Sequence, residues 1–123
     1  MLREIANVKQ NSANLRRRWL RDDYFDIFIW QTPAGEFTSL QLCYDLPAYE
    51  RVMVWRKGKG YSHHGIDSGE QVPLANRSPI MVADGVLPLE TVIQEFNARS
   101  GELEPALKQF IDERLHGFAA AEI

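Results

Sequence analysis

The segment Phe25 to Thr32 constrains the fold of this chain more than any other, because it is apolar on both of its faces. Its aromatic and β-branched side chains favour a β-strand. Alternate residues of a strand point to opposite faces. The side chains on one face are Phe25, Ile27 and Ile29, and those on the other are Phe28 and Trp30. An antiparallel strand with one face in water would alternate apolar and polar residues, so we expect both faces of the predicted sheet to be covered.

The rest of the chain predicts an α+β fold, since strands occupy its first two-thirds and helices its last third. Turn sequences at 32–36 and 57–60 separate the strands. An apolar stripe at helical spacing follows Pro88, a residue that favours a helix start. We predict an antiparallel β-meander of four to five strands within about residues 2–83. Two C-terminal helices, at about 88–99 and 103–116, are expected to pack on one face and to end at Gly101 and Gly117.

Length and cysteine content predict one domain in a reducing compartment. A chain of 123 residues has the size of a single domain, which we assign to residues 1–123. Its one cysteine, Cys43, allows no internal disulfide, which fits the cytoplasm best. Residues 1–7 lack the apolar run of a signal peptide, and the longest apolar stretch is too short to span a membrane. We therefore predict a cytoplasmic protein without a membrane segment.

Two short helices can cover only one face of such a sheet, so the second face needs another partner. The candidates are the N-terminal segment, a small-molecule ligand and a second copy of the chain. We expect a homodimer, with the chain acting as a self-associating module, and keep a small-molecule ligand as the other binding hypothesis. The residues assigned to this second face are Phe28, Trp30, Gln41, Cys43, Met53 and Trp55. Burial of Phe28, Trp30 and Trp55 beneath the helices would contradict the hypothesis.

A histidine-rich segment, 61–70, carries the residue types that bind metal ions. His63 and His64 are adjacent, and adjacent strand residues point to opposite faces, so the two cannot reach one ion. His63 and Asp67 share a face but lie about 13 Å apart along an extended strand, unless the chain bends at Gly65. We favour a structural role, with one histidine buried and hydrogen-bonded, and predict no metal and no cofactor. A small enzyme or metal-binding protein that uses His63, His64 and Asp67 is the alternative function.

Cys43 with His63 or His64 has the residue types of a nucleophile and its general base. The sequence identifies no acidic or amide residue that would orient such a base, and a single inward-facing cysteine more often behaves as a small apolar residue. The glycines and lysine at 58–60 lack the spacing of a phosphate-binding loop. We therefore assign no catalytic residue and leave open whether the chain is an enzyme.

Two basic groups with aromatic neighbours suggest a third function, the binding of single-stranded nucleic acid. Their basic members are Arg16, Arg17, Arg18, Arg56, Lys57 and Lys59. The net charge of −3 and the aspartates at 22, 23 and 26 disfavour nucleic acid as a partner. Residues 1–66 carry ten basic against seven acidic residues, and residues 67–123 carry four against ten. These unlike halves are suited to meet across a self-association interface.

Short runs in the first part of the chain carry one further signal. The runs are Arg3–Val8, Arg16–Trp19, Phe25-Asp26 leading to Trp30, Leu40–Asp45, Trp55-Arg56 and Tyr61–Asp67. Together they resemble a family of small bacterial cytosolic proteins to which no function is assigned. The resemblance covers roughly residues 1–70 and extends only loosely over the helices. It implies a bacterial, cytoplasmic origin and transfers no catalytic residue.

Overall fold

A computed structural model describes residues 1–10, 13–48, 50–66, 81–83 and 87–121. Within these residues the chain forms seven β-strands followed by two α-helices. The strands are β1 (Arg3–Glu4), β2 (Arg16–Arg21), β3 (Phe25–Gln31), β4 (Phe37–Tyr44), β5 (Arg51–Arg56), β6 (Gly60–Ile66) and β7 (Met81–Ala83). The helices are α1 (Leu89–Arg99) and α2 (Pro105–Ala121). No helix in the described part of the chain is long and apolar enough to cross a membrane.

The strands form one antiparallel sheet in the order of the sequence, β1 to β7, so the predicted α+β class and meander are confirmed. The predicted number of four to five strands is too low for the described residues. The difference comes from the sheet edges, where β1 has two residues and β7 has three. Strands of that length are too short to show an alternating pattern that stands out from a loop.

The main core lies between one face of the sheet and the two helices, and we call this side of the sheet the inner face. Phe25, Ile27 and Ile29 of β3 are fully buried there. Val92 and Phe96 of α1 and the buried stripe of α2 complete the same cluster. The α2 members are Leu107, Phe110, Ile111, Leu115 and Phe118. Helices that cover one face of an antiparallel sheet are the expected α+β arrangement.

The prediction that Met53 and Trp55 lie on the second face is wrong. Met53 is fully buried in the main core, and the Trp55 ring packs edge-on against Phe110 at a centroid distance of 5.6 Å. The register pairs Met53 with Leu42 and Trp55 with Leu40, both inner-face residues. A loop separates β4 from β5, and alternation cannot be followed across a loop of unknown geometry.

The prediction that Gly117 ends the second helix is wrong, because α2 continues to Ala121. A Cβ atom at Gly117 would lie 2.5 Å from the Tyr61 hydroxyl oxygen. That hydroxyl donates a hydrogen bond of 2.8 Å to the Arg114 carbonyl oxygen. The missing side chain therefore lets β6 reach the backbone of α2, a close approach that only glycine allows without displacement.

Two ion clusters attach the start of the chain to the helices. Arg18, a buried inner-face residue of β2, donates hydrogen bonds of 2.8 and 2.7 Å to the two carboxylate oxygens of Glu4, and it also lies 3.3 Å from a Glu104 carboxylate oxygen. At the end of α1, Arg99 contacts the Asp22 carboxylate at 3.0 Å. Burial of Asp22 raises its pKa, but backbone N–H donors of the turn at 22–25 and the Arg99 guanidinium outweigh burial and leave the pKa lowered.

Candidate binding face

The candidate functional site is the side of the sheet opposite the helices, which we call the outer face. The register of β2 to β6 arranges its residues in three rows across the strands. The first row is Arg21, Asp26, Cys43, Val52 and His64. The middle row is Trp19, Phe28, Gln41, Val54 and Ser62. The third row is Arg17, Trp30, Ser39, Arg56 and Gly60.

Three half-buried aromatic side chains of β2 and β3 form an aromatic ridge on this face: Trp19, Phe28 and Trp30. Trp19 stacks on Phe28 with ring centroids 5.7 Å apart, and Phe28 lies 6.3 Å from Trp30. The guanidinium of Arg21 sits 5.9 Å above Trp19, and that of Arg17 sits 6.0 Å above Phe28. Stacking and cation–π contacts therefore hold the ridge in one arrangement while part of each ring stays accessible.

Asp26 organises one end of the aromatic ridge. Its carboxylate accepts a hydrogen bond from the indole N–H of Trp19. Its other oxygen lies 3.3 Å from Nη1 of Arg21. One carboxylate thus orients both the indole and the cation above it, and the Arg21 guanidinium balances its charge.

Next to Asp26, Cys43 lies in a small apolar cluster with Val52 and Val54, separate from the main core. Cys43 is 3% exposed. Burial, and after it the nearby carboxylates of Glu50 and Asp26, raise the pKa of the Cys43 thiol to about 12. Burial also raises the pKa of Glu50, as does the charge of Asp26. The thiol is therefore protonated at neutral pH, which is the opposite of the lowered pKa of a nucleophilic cysteine.

The strands β4 to β6 carry smaller side chains on the outer face, and two shallow cavities lie there, which together we call the groove. The first has a volume of about 190 Å³ and is bounded by Trp30, Ser39 and Gln41. The second, of about 310 Å³, is bounded by Lys59, Ser62 and His64 among others. Val54 and Arg56 line both cavities. The groove therefore runs alongside the aromatic ridge, with an exposed guanidinium between its two parts.

The structure separates the predicted binding residues between the two faces. Trp30, Gln41, Cys43 and His64 lie on the outer face. Trp55 and His63 lie on the inner face, where Trp55 packs on Phe110. Asp67 is outside the described residues.

His63 is buried beneath α2, where its contacts are those of a structural residue. Its Nε2 atom lies 2.7 Å from the Tyr44 hydroxyl, and the two rings stack with centroids 5.9 Å apart. Phe118 of α2 packs edge-on against the same imidazole. His64, by contrast, is in the row of Cys43 but with Val52 between them. Two strand spacings place these residues about 10 Å apart, so no cysteine–histidine pair is formed.

Metal-binding geometry is not found in the part of the chain that the structure describes, where no group of three or more His, Cys, Asp or Glu residues could hold an ion. Asp67 and Glu70 of the histidine-rich segment lie outside that part.

A further cavity, of about 530 Å³, lies beside the N-terminal segment and is bounded by three consecutive arginines, Arg16 to Arg18. The charge of Arg18 is already neutralised by Glu4, and Arg17 donates a hydrogen bond of 2.8 Å to the Lys9 carbonyl oxygen. Two of the three arginines at this cavity are therefore engaged in holding the N-terminal segment to β2. The cavity is a weaker candidate than the outer face.

Several outer-face residues were missed by sequence reasoning. The sequence alone does not place Trp19, Val54 or Ser62 on this face. The strand register, together with the side of the sheet on which Phe28 lies, identifies these residues as outer-face residues.

Comparison of the chain with protein-family models, with curated proteins and with solved structures finds no match.

Proposed function

We propose that this chain is a small interaction module that binds its partner through the outer face of the sheet. The observation that carries the proposal is the aromatic ridge, in which Trp19, Phe28 and Trp30 are partly exposed on the side opposite the helices. Partly exposed apolar side chains that form one patch with a polar rim are typical of interaction sites. The cytoplasm is the setting we propose, because the one cysteine has no partner for an internal disulfide.

The chemistry of the outer face supports binding more than catalysis. Tryptophan and arginine are among the residues most enriched where interfaces gain their affinity. Here Arg17, Trp19 and Arg21 alternate along the outer face of β2. Their positions are held by strand pairing and by Asp26, so little ordering is needed when a partner arrives. Cys43, the candidate nucleophile predicted from the sequence, is a protonated and buried thiol.

Native mass spectrometry on the untagged protein tests this function. We expect the wild type to carry mass beyond its 14.1 kDa chain, as a second chain or a retained molecule, and Trp30→Ala to lose most of it. Lys108→Ala, an exposed position on α2, is the matched control and should behave as the wild type. A wild type that stays a bare single chain up to about 100 µM, and that also binds no oligothymidine, would contradict the proposal, since any association would then be weaker than about 5.5 kcal/mol.

Single-stranded nucleic acid is a second candidate, favoured by the two guanidinium groups that lie over the aromatic ridge. Stacking platforms flanked by arginine suit unpaired bases. Asp26 and Glu50 on the same face oppose a phosphate backbone. Fluorescence anisotropy with a labelled oligothymidine separates the candidates, because affinity for nucleic acid falls steeply as salt rises and apolar association does not.

A further inference from the structure

We propose that the partner at the outer face is a second copy of this chain, packed face to face about a two-fold axis that runs along β4. This inference rests on the proposed function and names the occupant of the same surface.

The outer face has two unlike halves on either side of β4. The β2–β3 half carries the aromatic ridge, and the β5–β6 half carries the second cavity of the groove, which is lined by Val54, Ser62 and Gly60 among others. The first cavity of the groove lies over β4, between the two halves. A two-fold interface must be complementary to itself. A surface with a ridge on one side of an axis and a groove on the other meets that requirement, because each copy places its ridge into the groove of its partner.

The register shows which residues an axis along β4 brings together. Strand β3 comes to lie over the partner's β5, and β2 over the partner's β6. In the middle row, Phe28 meets Val54 of the partner subunit. In the third row, Trp30 meets Arg56 of the partner subunit, whose exposed guanidinium is free to lie over the indole. Both contacts occur twice in the dimer.

An axis across the strands fits the same surface less well. It would place every strand over its own copy, so that the first row of one chain faces the third row of the other. Arg17 would then face the partner's Arg21, two like charges, and ridge would meet ridge while the groove stayed unfilled. Like charges directly opposite each other are destabilising, so the axis along β4 is preferred.

The size of the outer face predicts a reversible dimer. Five strands about 4.8 Å apart span about 24 Å, and three rows about 6.7 Å apart span about 20 Å. Each copy therefore offers at most roughly 480 Å², and less at Cys43 and Val52, which are already buried within the single chain. The two copies together bury no more than about 1,000 Å², the lower limit for a specific interface. We expect a dissociation constant in the micromolar range.

Cysteine cross-linking in a Cys43→Ser background tests the axis. Ser39 lies on β4, so Ser39→Cys should meet itself across an axis along β4 and form a covalent dimer with a short bismaleimide. Ser62→Cys, an exposed position in the middle row, should not link to itself, because it faces Trp19 of the partner subunit. Linkage of Ser62→Cys without Ser39→Cys would overturn the proposed axis, since only the axis across the strands brings Ser62 onto itself.

Sedimentation velocity of charge variants provides a measurement that needs no cysteine. Arg56→Glu should weaken dimerisation at least tenfold, and Arg56→Lys should weaken it less, because a cation over Trp30 is retained. Arg56 is exposed, so neither change removes core packing. Lys108→Glu on α2 is the control and should leave the dimer unchanged.

The outcomes distinguish this inference from the proposed function. A single chain that carries a small molecule or binds an oligonucleotide through Trp30 would overturn the second copy as occupant and leave the outer face as the binding surface. A chain that stays single at about 100 µM, carries no retained molecule and binds no oligothymidine would overturn both.

Discussion

Replacing Gly117 by alanine tests the contact between the sheet and α2, and the sign of its effect depends on one oxygen atom. In an ordinary helix interior, glycine to alanine stabilises by about 1 kcal/mol. Here the new Cβ atom would lie 2.5 Å from the Tyr61 hydroxyl oxygen, which must move. Its hydrogen bond of 2.8 Å to the Arg114 carbonyl would be lost, at a cost of about 1 kcal/mol.

Movement of the Tyr61 ring adds a second cost. The ring packs edge-on against Phe118 with centroids 5.4 Å apart, and a displaced aromatic pair loses about 0.5–1 kcal/mol. The gain in helix propensity is therefore exceeded, and we expect Gly117→Ala to destabilise the protein by roughly 0.5–1 kcal/mol.

Removal of the Tyr61 hydroxyl should turn the effect of Gly117→Ala on stability from destabilising to stabilising. In Tyr61→Phe, the nearest remaining ring atom lies 3.6 Å from the added Cβ, which is ordinary contact. Gly117→Ala should then stabilise that variant by roughly 0.5–1 kcal/mol. Urea denaturation of the four proteins of this double-mutant cycle, at one protein concentration, measures the coupling.

The control is Gly101→Ala, where an added Cβ would have no atom within 4 Å, and its effect should stay within about 0.5 kcal/mol. If Gly117→Ala stabilised the wild type as much as it stabilised Tyr61→Phe, the hydroxyl would not approach the helix as described, and the reasoning would be refuted.

Three further predictions concern buried polar groups. Arg18→Met should cost about 2–3 kcal/mol in urea denaturation, because it leaves the Glu4 carboxylate without its partner while that carboxylate is only partly exposed; an unchanged midpoint would contradict this. Asp22 has a lowered folded pKa, so its carboxylate stabilises the protein above its unfolded pKa and that contribution is lost as the pH falls through the folded value. Asp22→Asn should therefore reduce the loss of stability below about pH 4, measured by thermal unfolding from about pH 2 to pH 7. Cys43 should react slowly with a disulfide reagent at about pH 8 and speed up only as the protein unfolds, because its pKa is raised to about 12; fast reaction of the folded protein would show that the thiol is accessible.

The sheet could be predicted from sequence where a segment shows its own pattern, as β3 does. Its two apolar faces predicted a second face in need of a partner, and Phe28 and Trp30 do lie opposite the helices. The side on which Met53 and Trp55 lie could not be predicted, because their strand follows a loop and carries no local mark of which face is inner.

Gly117 illustrates a different limit of sequence reasoning. A glycine after an apolar helical stripe is typical of a helix end, and the local sequence supports that interpretation. Its actual role depends on Tyr61, which is distant in sequence and comes close only through packing of α2 on β6. The role of a glycine that admits a neighbouring group therefore follows from tertiary structure and not from its own surroundings in the sequence.

The two histidines of the predicted site lie on opposite faces of the sheet, and which one is buried also depends on tertiary structure. Adjacent histidines were expected to point to opposite faces, and His63 lies under α2 while His64 lies on the outer face. Which of the two would be buried depends on the pairing of β5 with β6. The strand pattern thus separates the two side chains, but only the register shows that Tyr44 is within hydrogen-bonding distance of His63.

The arrangement of the aromatic ridge argues for an interface that opens and closes and not for a second permanent core. Its three rings already bury much of their surface against one another and beneath Arg17 and Arg21. Less apolar area is then left to be removed from water on association, and hydrophobic gain scales with that area. A face that had to remain buried would carry continuous aliphatic side chains, as the inner face does. We therefore expect the single chain to fold without its proposed partner, on the inner core and the small cluster of Cys43, Val52 and Val54, and we expect the proposed partner to exchange at the outer face.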